Sequence, residues 1–223
     1  MLDRIECKTK AKELLRGRWG NAAGMSLFIG VISIIASSVL AIIPILGIIL
    51  VGAVSAFLSG SALNYCIKLN ETDERIRYME CFITLGQALK IFIFEFLMGV
   101  ILIGVVIVTL PITLLLESAL AIAVLILPIF MMVLSIIIEA GFFAVPMFIV
   151  ENPDMGIMES VSNSWNLTKG FKFDYFIMSL SFIGWVLLAG LTFGIGSLWL
   201  QPYMTLTFYI FYKGLLNKDT IKV

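Results

Sequence analysis

The residue whose type and position point most directly to chemistry is Glu139, a carboxylate inside a long apolar run. It stands twelve residues before Glu151, and that length of ideal helix rises about 18 Å. If the run crosses a bilayer, Glu139 lies near its middle, where ionisable groups usually face a helix interface or a cavity. It could bind a proton or a substrate, or it could be a protonated carboxyl that only joins helices. Glu95, five residues after Lys90, is instead predicted to be solvated near the inner interface.

Few other residues could carry a reaction. The chain has no histidine, which removes the commonest general base and metal ligand. Cys7, Cys66 and Cys81 lie far apart, without a metal-binding or redox spacing, and are predicted to be reduced thiols. The sequence contains no nucleophile elbow, phosphate-binding loop or pair of catalytic carboxylates. We therefore predict that the protein is not an enzyme and holds no metal or cofactor.

The composition is typical of a membrane protein. Hydrophobic residues make up 61% of the chain and charged residues 13%, whereas soluble domains carry about 25% charged residues. Apolar runs of about eighteen or more residues recur along the chain, and such runs predict membrane-spanning helices. The net charge is zero, so no overall charge attracts the protein to nucleic acid.

The predicted fold is all-α and polytopic, with six transmembrane helices in three hairpins and amphipathic helices on the cytoplasmic side. The fourth span, residues 118–150, has 33 residues, which would measure about 50 Å against a hydrocarbon core of about 30 Å. It must tilt, kink at Pro128 or Pro146, or begin as an interfacial piece. The single domain divides into a basic amphipathic segment 1–20, hairpins at 21–67, 91–150 and 175–212, amphipathic loops at 68–90 and 151–174, and a basic tail 213–223.

The positive charges all fall on one side of this layout. With six spans, the 15 lysines and arginines lie in the two ends and in the loops 68–90 and 151–174. The positive-inside rule then places both termini and both loops in the cytoplasm. The inner aromatic belt would contain Trp19, Trp165, Tyr175 and Tyr212, and the outer belt Trp199 and Tyr203.

Small residues recur at every fourth position on one face of each helix of the first hairpin. Because small residues allow helices to approach closely in lipid, this face is predicted to be the packing seam between the two helices. A groove for a ligand is the alternative. The residues are Ser33, Ser37 and Ala41 in the first helix, and Gly52, Ala56 and Gly60 in the second.

The N-terminal segment is a candidate for a helix on the membrane surface. Residues 2–18 combine a strongly basic face with a thin apolar face of Leu2, Ile5, Leu14 and Leu15. This pattern is typical either of a helix lying on an anionic leaflet or of a solvated basic tail. The sequence leaves both interpretations open.

The loop 68–90, with Ile76, Met79, Phe82 and Ile83 at helical spacing, contains a second candidate, and the loop 151–174 contains a third. Asn152 is predicted to be the N-cap, Pro153 the first helical residue and Gly170 the stop signal. An apolar stripe at helical spacing follows the cap, and it would face the membrane. The residues predicted to contact lipid or a partner membrane protein at the inner surface are Trp19, Met158, Val161, Trp165 and Lys169.

An internal repeat supports the same layout. Aligning Gly17 with Gly170 pairs the N-terminal unit with the third unit, and a middle copy aligned at Gly86 matches in outline. Each copy would be a surface helix followed by a hairpin. The pairs are Glu6 with Glu159, Leu14 with Leu167, Arg16 with Lys169, and Met25-Ser26-Leu27 with Met178-Ser179-Leu180.

The order and spacing of several motifs resemble one family. They are Lys10-Ala11-Lys12, Gly17-x-Trp19, Asn152-Pro153, Ser164 to Lys169-Gly170, Leu180-Ser181-Phe182-Ile183-Gly184-Trp185, Thr192-x-Gly194-Ile195-Gly196, Trp199 and Pro202-Tyr203. With these motifs the chain resembles the bacterial integral membrane family called domain of unknown function 975. The resemblance implies a multi-pass protein of the bacterial cytoplasmic membrane, with no catalytic residues to carry over. One departure is Thr168, where members often have methionine.

Three functions are compatible with these residues. The first is a non-enzymatic protein that binds anionic lipids of the inner leaflet, or a partner membrane protein, through its cytoplasmic helices. The second is a small transporter or channel for an amphipathic or small solute, using Glu139. The third is an intramembrane enzyme, for which no motif argues.

Overall fold

The computed structural model describes residues 4–40, 42–72, 74, 76–117, 135 and 137–221. Every regular element in this part of the chain is helical, as the sequence predicts. The helices are α1 (Arg4–Leu15), α2 (Trp19–Leu40), α3 (Pro44–Glu71), α4 (Leu85–Glu117), α5 (described over residues 137–142), α6 (Val145–Glu151), α7 (Ile157–Leu167), α8 (Lys172–Leu180), α9 (Ile183–Leu191) and α10 (Ser197–Ile221), with a 3-10 turn at Tyr78–Cys81.

Several helices have the length and composition of membrane spans. The first predicted hairpin coincides with α2 and α3, and Pro44 lies in the first turn of α3, where a proline breaks no helical hydrogen bond. The predicted fourth span lies mostly outside the described residues. Among the described residues, four stretches are long and apolar enough to cross a membrane: Trp19–Leu40, Leu46–Glu71, Leu85–Gly104 and Lys172–Leu191.

The small-residue face of α3 packs against α4. A Cβ atom at Gly60 would lie 2.5 Å from Ile83 Cδ1 and 2.9 Å from Ile91 Cδ1. A Cβ atom at Gly52 would lie 2.9 Å from the ring of Phe92. The sequence prediction placed this seam between α2 and α3, whereas the structure places the glycines against α4 and the residues that lead into it. Spacing identified the close-packed face but not the helix that meets it.

The helix α10 is the centre of the fold. It packs against α1, α2, α3, α7 and α9, and no residue from 202 to 215 is exposed. A helix that is apolar on all sides is expected to be buried among other helices. The predicted sixth span, residues 198–212, therefore corresponds to a helix that is enclosed by its neighbours over most of that length.

The N-terminal helix α1 docks on α10 through one face. Cys7, Ala11 and Leu15 are all fully buried, and their spacing of four residues places them on one side of the helix. Ile5, which the sequence assigned to the apolar face, is 71% exposed. The two sequence alternatives were a helix on the leaflet and a solvated tail. The structure gives a helix whose inner face contacts protein.

The amphipathic helix α7 also docks on protein, and through small polar residues. Its buried residues are Ser160, Ser164 and Leu167. Ser164 Oγ donates to the carbonyl of Gly141 at 3.0 Å, and Thr168 Oγ1 donates to the same oxygen at 3.3 Å. A buried carbonyl needs such donors, and these hydroxyls fix α7 against α5.

The predicted start of α7 was wrong. The sequence placed the N-cap at Asn152 and the first helical residue at Pro153. In the structure Asn152 is the C-cap of α6, and α7 begins at Ile157 after Gly156. The backbone N–H of Asn152 donates to the carbonyl of Phe148, so Asn152 completes the last turn of α6. The type of residue was right for a helix end, but it was assigned to the wrong helix.

The structure supports the internal repeat. Gly17 and Gly170 both adopt a left-handed backbone, with φ of 77° and 83°, which favours glycine because it has no Cβ. Gly17 lies between α1 and α2, and Gly170 lies between α7 and α8. Buried residues at α1 and α7 also share the register of the alignment: Cys7 with Ser160, Ala11 with Ser164 and Leu15 with Thr168.

Candidate functional site

An open cavity of about 630 Å³ lies between α3, α4, α5 and α6, with α8 and α10 at its side. Most of its lining is apolar. Two carboxylates face it, Glu95 from α4 and Glu139 from α5, and both are exposed to it. The hydroxyl groups of Ser59, Tyr175 and Thr205 also line it. An apolar cavity with a few convergent polar groups is the usual form of a binding site for a small molecule.

The two carboxylates have different neighbours. The hydroxyl of Ser59, the residue before Gly60 in α3, interacts with the side chain of Glu95 and donates a hydrogen bond to the carbonyl of Ala56 at 3.2 Å. Glu139 lies close enough to Tyr175 for the carboxylate and the phenol to interact electrostatically. The prediction that Glu139 faces a cavity or a helix interface agrees with this position. The prediction that Glu95 is merely solvated missed that it faces the same cavity as Glu139.

The start of α4 is held against the end of α6, and this contact positions Glu95. Thr84 and Gln87 cap α4 reciprocally: the N–H of Thr84 donates to Gln87 Oε1 at 2.9 Å, and the N–H of Gln87 donates to Thr84 Oγ1 at 3.3 Å. Gln87 Nε2 also donates to the carbonyls of Ile149 and Val150, at 3.2 and 2.9 Å. The buried amide therefore joins α4 to α6 at one end of the cavity.

Lys90 extends the same contact to the turn between α6 and α7. Its Nζ donates to the carbonyl of Pro153 at 2.6 Å and to that of Met155 at 2.8 Å. A lysine can donate to several carbonyls that accept no hydrogen bond within a helix, because its ammonium group carries three N–H donors. The sequence analysis used Lys90 only to mark the inner surface, so this role was not predicted.

A second polar cluster joins α6 to α10. Glu151 accepts hydrogen bonds from the hydroxyls of Tyr209 at 2.6 Å and Tyr212 at 3.1 Å. Lys213 Nζ lies 2.6 Å from Glu151 Oε1. Sequence reasoning treated Glu151 only as a surface marker. The available signal was the spacing of the two tyrosines and the lysine, which places them on one face of a helix.

We expect Glu151→Gln to lower the free energy of unfolding by about 2 kcal/mol, because charge-assisted hydrogen bonds to a mostly buried carboxylate are lost. The side chain of Glu151 is only 14% exposed. Thermal unfolding in mild detergent measures the change. Glu159→Gln, at an exposed position of α7, is the matched control and should unfold like the wild type. Equal midpoints for all three proteins would contradict a stabilising role for Glu151.

The predicted inner-surface residues fall into two groups. Met158 is 80% exposed, and Lys169 is exposed with its Nζ bonded to Asn166 Oδ1 at 2.8 Å. Both can meet lipid or a partner. Val161 instead packs against the buried core. The other two predicted residues also contact protein through their rings.

Trp165 and Trp19 each pack against another aromatic ring. The ring of Trp165 lies 5.3 Å from that of Phe142, and Lys172 Nζ is 3.2 Å from its centroid. The ring of Trp19 lies 6.1 Å from that of Tyr203. Such ring contacts anchor helices as well as burying area. The two tryptophans are therefore partly used in packing.

A second cavity, of about 420 Å³, opens between α1, α9 and the first turns of α10. Its lining is largely apolar, and Lys12 is the charged residue among the described side chains that border it. The aromatic residues at its wall are Trp19, Trp185, Trp199 and Tyr203. We call this cavity the Lys12 groove.

The three cysteines are buried, and none forms a disulfide. Burial raises the pKa of the Cys81 thiol, and Glu80 raises it further while Lys68 opposes the shift. A raised pKa lowers the fraction of reactive thiolate. Within the described residues, no group of three or more histidine, cysteine, aspartate or glutamate side chains could hold a metal ion.

The helices define a class, that of all-helical proteins whose helices are long and apolar enough to cross a membrane. A family model described as "Protein of unknown function (DUF975)" matches residues 1–219. The chain belongs to this family, as its motifs indicated. No curated protein and no solved structure matches the chain.

Proposed function

We propose that this protein is a non-enzymatic membrane protein that binds an amphipathic molecule with a positively charged group. The observation that carries the proposal is the convergence of Glu95 and Glu139, from two different helices, on one largely apolar cavity. The apolar wall would take the hydrocarbon or aromatic part of the ligand. The carboxylates would take its cationic group.

The charge balance of the cavity supports a cationic ligand. No lysine or arginine is among the described residues that line it, and the sequence 118–134 contains none either. Two carboxylates beside an apolar wall attract either protons or a cation, with no basic side chain to compete. Protons and the cation then compete, so binding weakens as the pH falls. If the protein also moved the bound molecule across the membrane, it would be a small transporter that uses the same cavity.

We place the protein in the bacterial cytoplasmic membrane as a multi-pass protein with three hairpins and both ends on the cytoplasmic side. The support is the distribution of lysine and arginine, all of which fall in the ends and in the loops 68–90 and 151–174. On that side, exposed residues such as Met158 and Lys169 are available to lipid or to a partner membrane protein.

The decisive experiment compares two ions of the same shape and opposite charge. Purified protein in mild detergent is dialysed against tetraphenylphosphonium, a lipophilic cation, and separately against tetraphenylborate, the matching anion. We expect retention of the cation, declining as the pH is lowered, and little retention of the anion. Equal retention of both ions would mean that the cavity binds by hydrophobicity alone, and the proposal would fail.

A second candidate function is binding of an anionic lipid of the inner leaflet, and the Lys12 groove favours it. The groove offers one ammonium group beside an apolar and aromatic wall, which suits an anionic head group with an acyl chain. Native mass spectrometry of protein extracted in mild detergent tests this. Retention of one anionic lipid class that Lys12→Gln loses would support it, and a lipid-free spectrum of the wild type would oppose it.

A further inference from the structure

The third hairpin has an apolar outer surface. It consists of α9, the turn 192–196 and the first turns of α10, and no charged residue occurs from 175 to 212. Trp185, Leu187 and Leu191 of α9 are exposed, and Phe193 at the tip is 99% exposed. An exposed apolar surface of this kind is stable in hydrocarbon and not in water.

The backbone N–H groups of the tip are all hydrogen-bonded within the tip itself. Every backbone N–H from 192 to 200 donates to an acceptor within the segment 188–197. Thr192 Oγ1 accepts from the N–H of Gly196 at 2.8 Å, and the left-handed Gly194 donates to the carbonyl of Ala189 at 3.0 Å. In hydrocarbon each unpaired N–H would cost several kcal/mol. The pairing of all its N–H groups therefore suits the turn to a position inside a bilayer better than an ordinary loop.

The base of the hairpin is marked by charged residues of α1. Lys8 Nζ donates to Ser181 Oγ at 2.5 Å and to the carbonyl of Ser181 at 3.4 Å, and it lies 4.1 Å from the ring centroid of Phe182. Lys12 Nζ lies 5.8 Å from the ring of Tyr203. Because α1 carries several ionised side chains, it must stay in the head-group region or in water. Ser181 and Tyr203, which contact α1, therefore lie at the same depth as α1, at the head-group surface of the membrane.

The contact between Trp19 and Tyr203 agrees with this level. The sequence prediction assigned Trp19 to the inner belt and Tyr203 to the outer belt, yet their rings are 6.1 Å apart. Two side chains in contact cannot lie at opposite faces of a core about 30 Å thick. The assignment of Tyr203 was wrong, since Trp19 begins α2 directly after α1.

The hairpin is too short to cross from that level. α9 has 9 residues, which rise about 14 Å, whereas the hydrocarbon core measures about 30 Å. By contrast, α2 has 22 residues and rises about 33 Å from the same level. By length and composition Lys172–Leu191 could cross as one helix. A turn at Ser181 and Phe182 interrupts the helix, however, and Lys8 is hydrogen-bonded to Ser181 there.

We propose that residues 183–203 form a re-entrant hairpin that enters the membrane from the side of α1 and returns without crossing. Its partner is the acyl-chain layer of one leaflet, and its tip lies near the bilayer centre. It replaces the fifth and sixth spans predicted from sequence. Both ends stay on the cytoplasmic side, because a hairpin that returns leaves the sidedness of the chain unchanged.

Cysteine labelling in sealed cells tests the hairpin. A charged, membrane-impermeant maleimide is applied to Phe193→Cys, with wild type as the background because its three cysteines are buried. Ile42→Cys, in the exposed turn between α2 and α3, should label in intact cells. Asp154→Cys should label only after permeabilisation. We expect Phe193→Cys to stay at background in both conditions. Labelling of Phe193→Cys in intact cells like Ile42→Cys would overturn the proposal.

A depth measurement makes the absence of labelling decisive. A nitroxide spin label attached at Phe193→Cys in detergent is returned to liposomes, and its collisions with oxygen and with a water-soluble nickel chelate are compared. We expect high oxygen and low nickel accessibility, as at the bilayer centre. A crossing hairpin would place the label in the opposite head groups, where nickel accessibility is high. Neither measurement depends on the ligand of the acidic cavity.

Discussion

Glu139→Gln is expected to weaken binding of tetraphenylphosphonium at least about tenfold at neutral pH. A unit charge about 4 Å from a carboxylate gains about 4 kcal/mol at an effective dielectric constant of about 20. A tenfold loss needs only about 1.4 kcal/mol. Glutamine keeps the size and polarity of the side chain and removes only its charge. Equilibrium dialysis of purified variants measures the change.

Three controls make this result specific. Glu95→Gln should weaken binding in the same direction, because Glu95 faces the same cavity. Glu159→Gln removes an exposed carboxylate of α7 and should leave binding unchanged. All variants should unfold at the temperature of the wild type. Undiminished binding by Glu139→Gln would remove the residue from the site and would leave it the structural role that the sequence kept open.

Gln87→Leu is expected to destabilise the fold by about 3 kcal/mol. The side chain is buried, and its loss leaves the carbonyls of Ile149 and Val150 without their donor. Each unsatisfied buried group costs about 1–3 kcal/mol, and the cap of α4 is lost as well. Unfolding by denaturant in mild detergent measures the difference between variant and wild type.

Thr84→Val separates the two effects of Gln87→Leu. It removes the hydroxyl of the cap but keeps Gln87 Nε2 on the α6 carbonyls. We expect a loss of about 1 kcal/mol, the usual effect of a missing cap. The remaining difference belongs to the contact between α4 and α6. If both variants lost the same stability, that contact would contribute nothing.

The long helices could be predicted because each is determined by a local property. Apolar runs and a proline are sufficient to locate α2 and α3. Contacts between distant segments could not be found this way. Glu95 and Gln87 look like ordinary polar residues at the start of a helix. Their roles depend on α5 and α6, which lie about fifty residues further along the chain.

The buried face of α7 was missed for a different reason. Sequence reasoning assigned the large apolar residues Met158 and Trp165 to the membrane and predicted nothing for the opposite face of the helix. In a membrane protein the surroundings are apolar too, and helices approach each other through small residues. Ser160 and Ser164 therefore take the buried positions, as Ala11 does in α1. The internal repeat indicated this buried face, because it aligns the small residues Cys7 and Ala11 of α1 with Ser160 and Ser164 of α7.

The position of α10 has a mechanical consequence. Thr205 and Phe208 line the acidic cavity, whereas Leu200 and Tyr203 line the Lys12 groove, so one helix forms a wall of both. A ligand that displaces α10 at one of them necessarily reshapes the other. Thermodynamic linkage then makes the influence mutual: whatever a cation does to lipid affinity, lipid does to cation affinity by the same factor. The composition of the surrounding bilayer would thereby act as an effector of the protein.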